Sequence, residues 1–105
     1  MNRQDNPDLK MPVFIRSGPQ WAEAESGFVV RFAGQYRLEY VEKNHTLAIP
    51  IDELVRPFKV LLYLSKAKAW QAPYDKEPIS PERMATIQFN IMEAMNHLKT
   101  PFEAR

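Results

Sequence analysis

The residues that could serve as general acids, general bases or metal ligands are few. His45 and His97 are the only histidines, and no HxH, HxxxH or HxxE spacing places a second ligand near either of them. Asp52 and Glu53 are adjacent carboxylates, an arrangement more typical of a helix cap or a solvated turn than of a catalytic dyad. The pattern therefore indicates no catalytic residue and no metal site.

Nucleophilic catalysis also lacks its usual residues. The chain contains no cysteine, which excludes a thiolate nucleophile, a disulfide and a cysteine-ligated zinc site together. Ser17 and Ser26 are not part of a GxSxG motif, and the three glycines form no phosphate-binding loop. Glu23 and Glu25 again fit a solvated surface. We therefore predict a protein that is not an enzyme and needs no cofactor.

Length and composition favour one globular domain. The chain has 105 residues, of which 45% are hydrophobic and 26% charged, and its net charge is +1. It has no apolar run long enough for a membrane helix and no apolar segment typical of a secretory signal, so we expect a cytoplasmic protein. We predict a flexible N-terminal arm over residues 1–12, and one α+β domain over residues 13–105.

Two strands are indicated by strict alternation, and charge pairing favours one register between them. Apolar residues alternate with polar or smaller ones on both sides of Gly34, at Phe28, Val30, Phe32, Tyr36, Leu38 and Tyr40. A three-residue loop would place Arg31 opposite Arg37, whereas a five-residue loop places Arg31 opposite Glu39. Because like charges directly opposite each other are unfavourable, we predict the five-residue loop, which pairs Phe32 with Leu38.

The remaining sheet elements are less regular. We expect a short edge strand over residues 13–15, a strand over residues 45–51 with Pro50 at an edge or strand end, and a strand over residues 58–64. Asp52 is a candidate cap for a short helical turn through Val55. Residues 21–26 are compatible with more than one structure.

The longest helix is predicted near the C-terminus. Ser80 is a favoured N-cap, Pro81 a favoured first helical residue, and Pro101 follows the helix. Helical spacing places one apolar stripe at Met84, Ile87, Ile91, Ala94, Met95 and Leu98. The predicted fold is α+β, an antiparallel sheet of four to five strands with this one long helix packed across it.

Recognition of another protein is the leading functional hypothesis. Aromatic residues are enriched at interfaces, and the candidates for partial exposure are Trp21, Trp70, Tyr74, Phe58 and Phe89. The predicted partner-binding residues combine aromatic and acidic side chains: Trp70, Tyr74, Asp75 and Glu77, with Trp21 and Glu25 as neighbours. The alternative is that Trp70 and Tyr74 fold back over the helix start.

Two other functions remain open. Arg31, Arg37, Lys59 and Tyr63 could form a basic sheet face that binds single-stranded nucleic acid, although Glu39 interrupts it. With a net charge of only +1, nucleic acid is the less favoured partner. A homodimer joined through the Phe89 side of the helix or through the edge strand at Val13 is the third hypothesis.

The order of elements also carries a family resemblance. The segments GFVVRFAGQYRLEYVE, LAIPIDEL, KVLLYLSKAKAWQAP and ISPERMATIQFNIMEAMNHL follow one another over residues 26–98. In this order the chain resembles the small immunity proteins of bacterial polymorphic toxins and contact-dependent growth inhibition systems, in particular the family catalogued as immunity protein 74. The resemblance implies a cytoplasmic inhibitor that binds the C-terminal domain of one cognate toxin, often a nuclease. Unlike common inhibitors of basic nucleases, this chain is nearly neutral.

Overall fold

A computed structural model describes residues 10–105, which form seven strands, one short 3-10 helix and one α-helix. The strands are β1 (Phe14–Gly18), β2 (Trp21–Ala24), β3 (Phe28–Phe32), β4 (Arg37–Glu42), β5 (His45–Val55), β6 (Phe58–Leu62) and β7 (Phe102–Ala104). The 3-10 helix is Leu64–Lys66, and the α-helix, α1, is Pro81–His97. Residues 1–9 of the predicted arm lie outside the described residues.

The seven strands form one curled sheet in the order of the sequence, β1 to β7. All neighbours are antiparallel except β6 and β7, which are parallel. Parallel neighbours need a long crossover, and α1 provides it. The predicted α+β class and the single long helix are confirmed, but the predicted number of strands is too low, since the sequence pattern does not predict β2 and β7.

The register of β3 and β4 is the predicted one. Phe32 lies opposite Leu38 and Arg31 opposite Glu39. Gly34, in the loop between these strands, has a φ of +98°, a conformation that glycine adopts without steric penalty. The apolar residues of both strands consequently share the face that packs against α1.

The second half of β5 corrects a prediction. Asp52 does not begin a helical turn; it lies opposite Leu61 in the antiparallel hairpin of β5 and β6. Pro50 lies inside the strand, where β5 ends its pairing with β4 and begins its pairing with β6. The hydrogen bonds between β5 and β6 satisfy backbone N–H and C=O groups that an isolated helical turn would leave exposed to water. Strand pairing is therefore favoured over the helical turn that Asp52 would cap.

The core lies between the sheet and α1. The predicted helical stripe is buried at its four central positions and half-buried at Met84 and Leu98. The fully buried large side chains come from both layers, namely Val30, Leu38, Tyr40, Leu47, Ile49, Val60, Leu62, Ile87, Ile91 and Met95. Burying one such apolar side chain contributes about 1.5–3 kcal/mol. In the described part of the chain, no helix is both long enough and apolar enough to cross a membrane.

Candidate functional site

The predicted aromatic anchor is buried in this fold. Trp70 is only 7% exposed and belongs to the core. The His45 ring packs edge-on to Trp70, with centroids 5.1 Å apart, and stacks on Tyr74 at 3.8 Å. The expectation of a partly exposed Trp70 is therefore corrected, and the packing partner of both aromatic residues is His45 at the start of β5.

The segment that connects the 3-10 helix to α1 is held against the sheet by polar contacts as well. The Gln71 backbone N–H donates to the Thr46 carbonyl at 2.8 Å, and the His45 ring lies 2.9 Å from a Glu77 carboxylate oxygen. Glu77 is thus engaged within the chain although its side chain is 54% exposed, and Asp75 is exposed as well. This connector is first of all a structural attachment to β5.

Trp21 and Glu25 lie apart from the connector. Trp21 lies opposite Arg31, near the end of β3, while the connector attaches at the start of β5, which lies at the other end of the strands. Glu25 follows β2, on the far side of β3 and β4 from His45. The structure therefore does not bring the six predicted partner-binding residues together in one surface.

The residues of the predicted basic sheet face are paired with acceptors. Arg31 and Arg37 contact the two carboxylate oxygens of Glu39 at 2.9 and 2.7 Å, and Glu39 is only 9% exposed. Lys59 lies 3.6 Å from Glu103, and a further contact joins the Tyr63 hydroxyl to Asp52. Each cation of this face therefore already contacts a carboxylate within the sheet, with Glu39 shared between the two arginines.

The two surfaces considered for a homodimer are also located. Val13 is exposed directly before edge strand β1, whose pairing with β2 is interrupted by a register shift between Phe14 and Arg16. Phe89 is half-buried on α1. A β-bulge of this kind twists an edge strand and disfavours edge-to-edge pairing.

Several exposed apolar side chains lie together at the turn between β5 and β6. We call Tyr36, Leu54, Val55 and Phe58 the apolar tip; they are 64%, 43%, 78% and 49% exposed, respectively. Val55 and Phe58 face each other across the hairpin, and Tyr36 comes from the loop between β3 and β4. Apolar side chains that are exposed together mark interaction sites more often than single ones do.

The position of Tyr36 in the apolar tip is fixed by the sheet. Its carbonyl accepts a hydrogen bond from the Ile51 N–H at 3.0 Å, which ties the β3–β4 loop to β5. A cavity of about 420 Å³ opens there, and its walls include Tyr36, Asp52, Leu54 and Leu61. The apolar tip is therefore a shaped surface on a strand framework, with a recess large enough for one side chain of a partner.

Charged residues surround the apolar tip. Asp52 and Glu53 precede it along β5, and Arg56 lies in the turn. The Tyr63 hydroxyl donates to an Asp52 carboxylate oxygen at 2.9 Å, and this hydrogen bond raises the pKa of Tyr63 above its ordinary value. An apolar centre with a polar rim is the usual composition of a protein–protein interface.

A polar cluster lies between α1 and the other end of the sheet. The Tyr40 hydroxyl donates to Glu42 at 2.7 Å, and Glu42 also forms an ion pair with Arg83 of α1. Burial lowers the pKa of Arg83, but its hydrogen bond and attraction to Glu42 outweigh this effect and raise it. These groups line a cavity of about 280 Å³ together with the buried Asn90. Because Tyr40, Glu42 and Arg83 bind one another, we assign the cluster a structural role.

The apolar tip was only partly visible in the sequence. The sequence predicts partial exposure of Phe58, but it favours a helical turn for Leu54 and Val55. The sequence does contain a signal for the β5–β6 hairpin. Arg56-Pro57 is a turn sequence, and apolar strand-forming residues lie on both sides of it. Tyr36 could not be connected to this hairpin before the sheet order was known.

Within residues 10–105, no group of three or more His, Cys, Asp or Glu side chains is arranged to hold a metal ion. Comparison of the chain with protein-family models, with curated proteins and with solved structures finds no match.

Proposed function

We propose that this protein is a stoichiometric inhibitor that binds one protein partner through the apolar tip and blocks the partner's activity. The observation that carries the proposal is the joint exposure of Tyr36, Leu54, Val55 and Phe58 at one end of the sheet. Removing apolar surface from water gains about 25 cal/mol per Å². A partner that covers these side chains would gain this free energy.

The rigidity of the framework supports the same function. Residues on paired strands lose little conformational freedom on binding, because the backbone is already ordered. Leu54 lies opposite Lys59 and Val55 opposite Phe58, so the hairpin holds the apolar tip in place before a partner arrives. An inhibitor that must bind quickly and tightly benefits from such preorganisation.

The identity of the partner rests on the resemblance to immunity proteins. On that basis the partner is the C-terminal domain of a cognate bacterial toxin, a nuclease being the leading class, and binding takes place in the cytoplasm. The inhibitor would occlude the toxin's active site or its substrate-binding surface. The proposed contact surface is the apolar tip and not the connector, because Trp70 of the connector is buried.

Affinity capture of the full-length protein tests this function. The tagged chain is expressed in the bacterium that encodes it, and co-purifying proteins are identified by mass spectrometry. We expect one toxin domain at equal stoichiometry, and we expect the purified chain to abolish that toxin's activity in vitro. Capture of nucleic acid alone, or of no partner, would contradict the proposal.

A further inference from the structure

The second half of β5 has one backbone edge without a neighbouring strand in the described part of the chain. The pairing of β5 with β4 ends at Pro50, opposite Arg37, and beyond it only β6 runs alongside. The last contact on the β4 side is the hydrogen bond from the Ile51 N–H to the Tyr36 carbonyl. On the N-terminal side of Tyr36, the β3–β4 loop contains Gly34, whose φ is +98°, and forms no strand.

The direction of the free backbone groups follows from the ladder. In an antiparallel pair, successive residues direct their N–H and C=O groups alternately to the two sides. The Tyr63 N–H donates to the Pro50 carbonyl, so Pro50 faces β6, whereas Ile51 faces the β4 side. By alternation, Glu53 and Val55 direct their backbone groups to the same open side as Ile51.

This edge differs from the two outer edges of the sheet. Edge strand β1 carries a bulge and lies between Pro12 and Pro19, and β7 has only three residues, followed by the charged Arg105. Such features protect an edge against pairing. The edge of β5 instead presents Leu54 and Val55, both exposed, beside its free backbone groups.

We infer that this edge binds an extended segment of the partner protein as an added β-strand, with a Lys or Arg of that segment opposite Glu53. In strand addition, main-chain hydrogen bonds supply affinity and pockets for alternate side chains supply specificity. The recess of about 420 Å³ beside Leu54 takes an apolar side chain of the segment. Opposite charges in directly facing strand positions attract, and Glu53 is exposed on this open edge.

The inference rests on the proposed function, but it can be tested without the toxin. The full-length protein is used to select from a displayed library of random peptides, each long enough to form one strand. We expect the selected peptides to alternate apolar residues and to carry a Lys or Arg at a fixed position. Amide hydrogen exchange should show new protection at Glu53 and Val55 on peptide binding.

Two substitutions at one position separate backbone pairing from charge. Glu53→Ala keeps the backbone N–H and removes only the carboxylate, so peptide affinity should fall a few-fold. Glu53→Pro also removes the N–H, and affinity should fall roughly tenfold further, as expected for one lost hydrogen bond. Proline is tolerated on a strand edge whose N–H does not pair, and exchange protection elsewhere in the sheet reports whether each variant is folded.

Several results would overturn the inference. Strand addition would be excluded if no peptide were selected, if the proline and alanine variants bound the peptide with equal affinity, or if Glu53 and Val55 gained no new protection.

Self-association that Glu53→Pro abolishes would replace the partner strand by a second copy of this chain. A captured toxin that is sensitive to Val55→Asp but binds equally to both Glu53 variants would exclude strand addition while the proposed function stands. Strand binding without any captured toxin would overturn the proposed function alone.

Discussion

Individual residues of the polar cluster show how this small core tolerates buried hydrogen-bonding groups. Tyr40 is fully buried, yet its hydroxyl donates to Glu42, and Glu42 in turn binds Arg83. Burial is the main cause that raises the pKa of Tyr40 well above its ordinary value, and the hydrogen bond and charge of Glu42 add to it. The cluster therefore favours the neutral hydroxyl in the folded state.

This arrangement predicts a specific alkaline loss of stability. An unfolded tyrosine ionises near pH 10, whereas folded Tyr40 keeps its proton to higher pH. Above about pH 10 the free energy of unfolding should therefore fall, with a limiting slope of about 1.4 kcal/mol per pH unit for this one group. Urea denaturation of the wild type and of Tyr40→Phe over a pH series measures the effect.

The Tyr40→Phe variant should be less stable at neutral pH by about 1–3 kcal/mol, because Glu42 loses a hydrogen bond. Its stability should nevertheless decline less steeply above pH 10 than that of the wild type. Tyr36→Phe, which changes an exposed tyrosine, is the matched control and should keep the wild-type slope. Identical slopes for all three proteins would contradict the role assigned to Tyr40.

At the scale of elements, the sequence predicts the helices and strands that a local pattern of residues determines. It does not predict strands that form only because a distant part of the chain lies beside them. The β3–β4 register followed from one charge pair, Arg31 with Glu39, and α1 followed from Ser80-Pro81 and its apolar stripe. Strand β7 has only three residues, too few for a periodic pattern, and pairs with β6 only because α1 returns the chain to that edge.

The start of α1 offers a direct test of capping. The Ser80 hydroxyl oxygen accepts a hydrogen bond from the Arg83 backbone N–H at 3.0 Å. Ser80→Ala should lower the free energy of unfolding by about 1 kcal/mol, because that N–H then has no partner in the helix. Urea denaturation compares it with Ser65→Ala, which alters an exposed serine in the 3-10 helix. An equal loss of stability in both variants would contradict the assigned cap.

The connector offers a second test at this scale. His45→Ala removes the stack on Tyr74 and the contact with Glu77, so local opening of the connector should become more frequent. Tryptic cleavage after Lys76 should then accelerate by about three- to tenfold, in line with the loss of one aromatic pair.

His97→Ala is the control for the connector test, because His97 is likewise stacked, on Phe14 at 4.7 Å, but lies at the end of α1. This variant should leave the cleavage rate after Lys76 unchanged. If the two histidine variants were cleaved equally fast, the connector would not depend on His45 for its attachment.

At the scale of the whole molecule, the distribution of charge and apolar surface is the basis for proposing protein binding rather than nucleic-acid binding. The chain carries 14 basic and 13 acidic residues, and the arginines of the sheet face are paired with Glu39. The exposed apolar side chains of the β5–β6 hairpin collect at one end. The candidate site could not be predicted from the sequence, because Tyr36 and Val55 meet only when β4 and β5 pair.

The nearly neutral net charge and the carboxylate contacts of the sheet-face cations predict that the protein does not bind single-stranded nucleic acid. Fluorescence anisotropy of a labelled oligonucleotide should stay constant as protein is added, even at low salt, where phosphate contacts are strongest. Steeply salt-dependent binding that is lost in Arg31→Ala or Arg37→Ala would contradict this account and favour the basic sheet face.

The most direct test of the central claim compares partner capture by two matched variants. Val55→Asp places a charge in the apolar tip, and Ile15→Asp places the same charge on β1, where the side chain is also exposed. We expect Ile15→Asp to capture the toxin domain as the wild type does, and Val55→Asp to lose it while its thermal unfolding remains unchanged. Equal capture by both variants would show that the partner binds elsewhere.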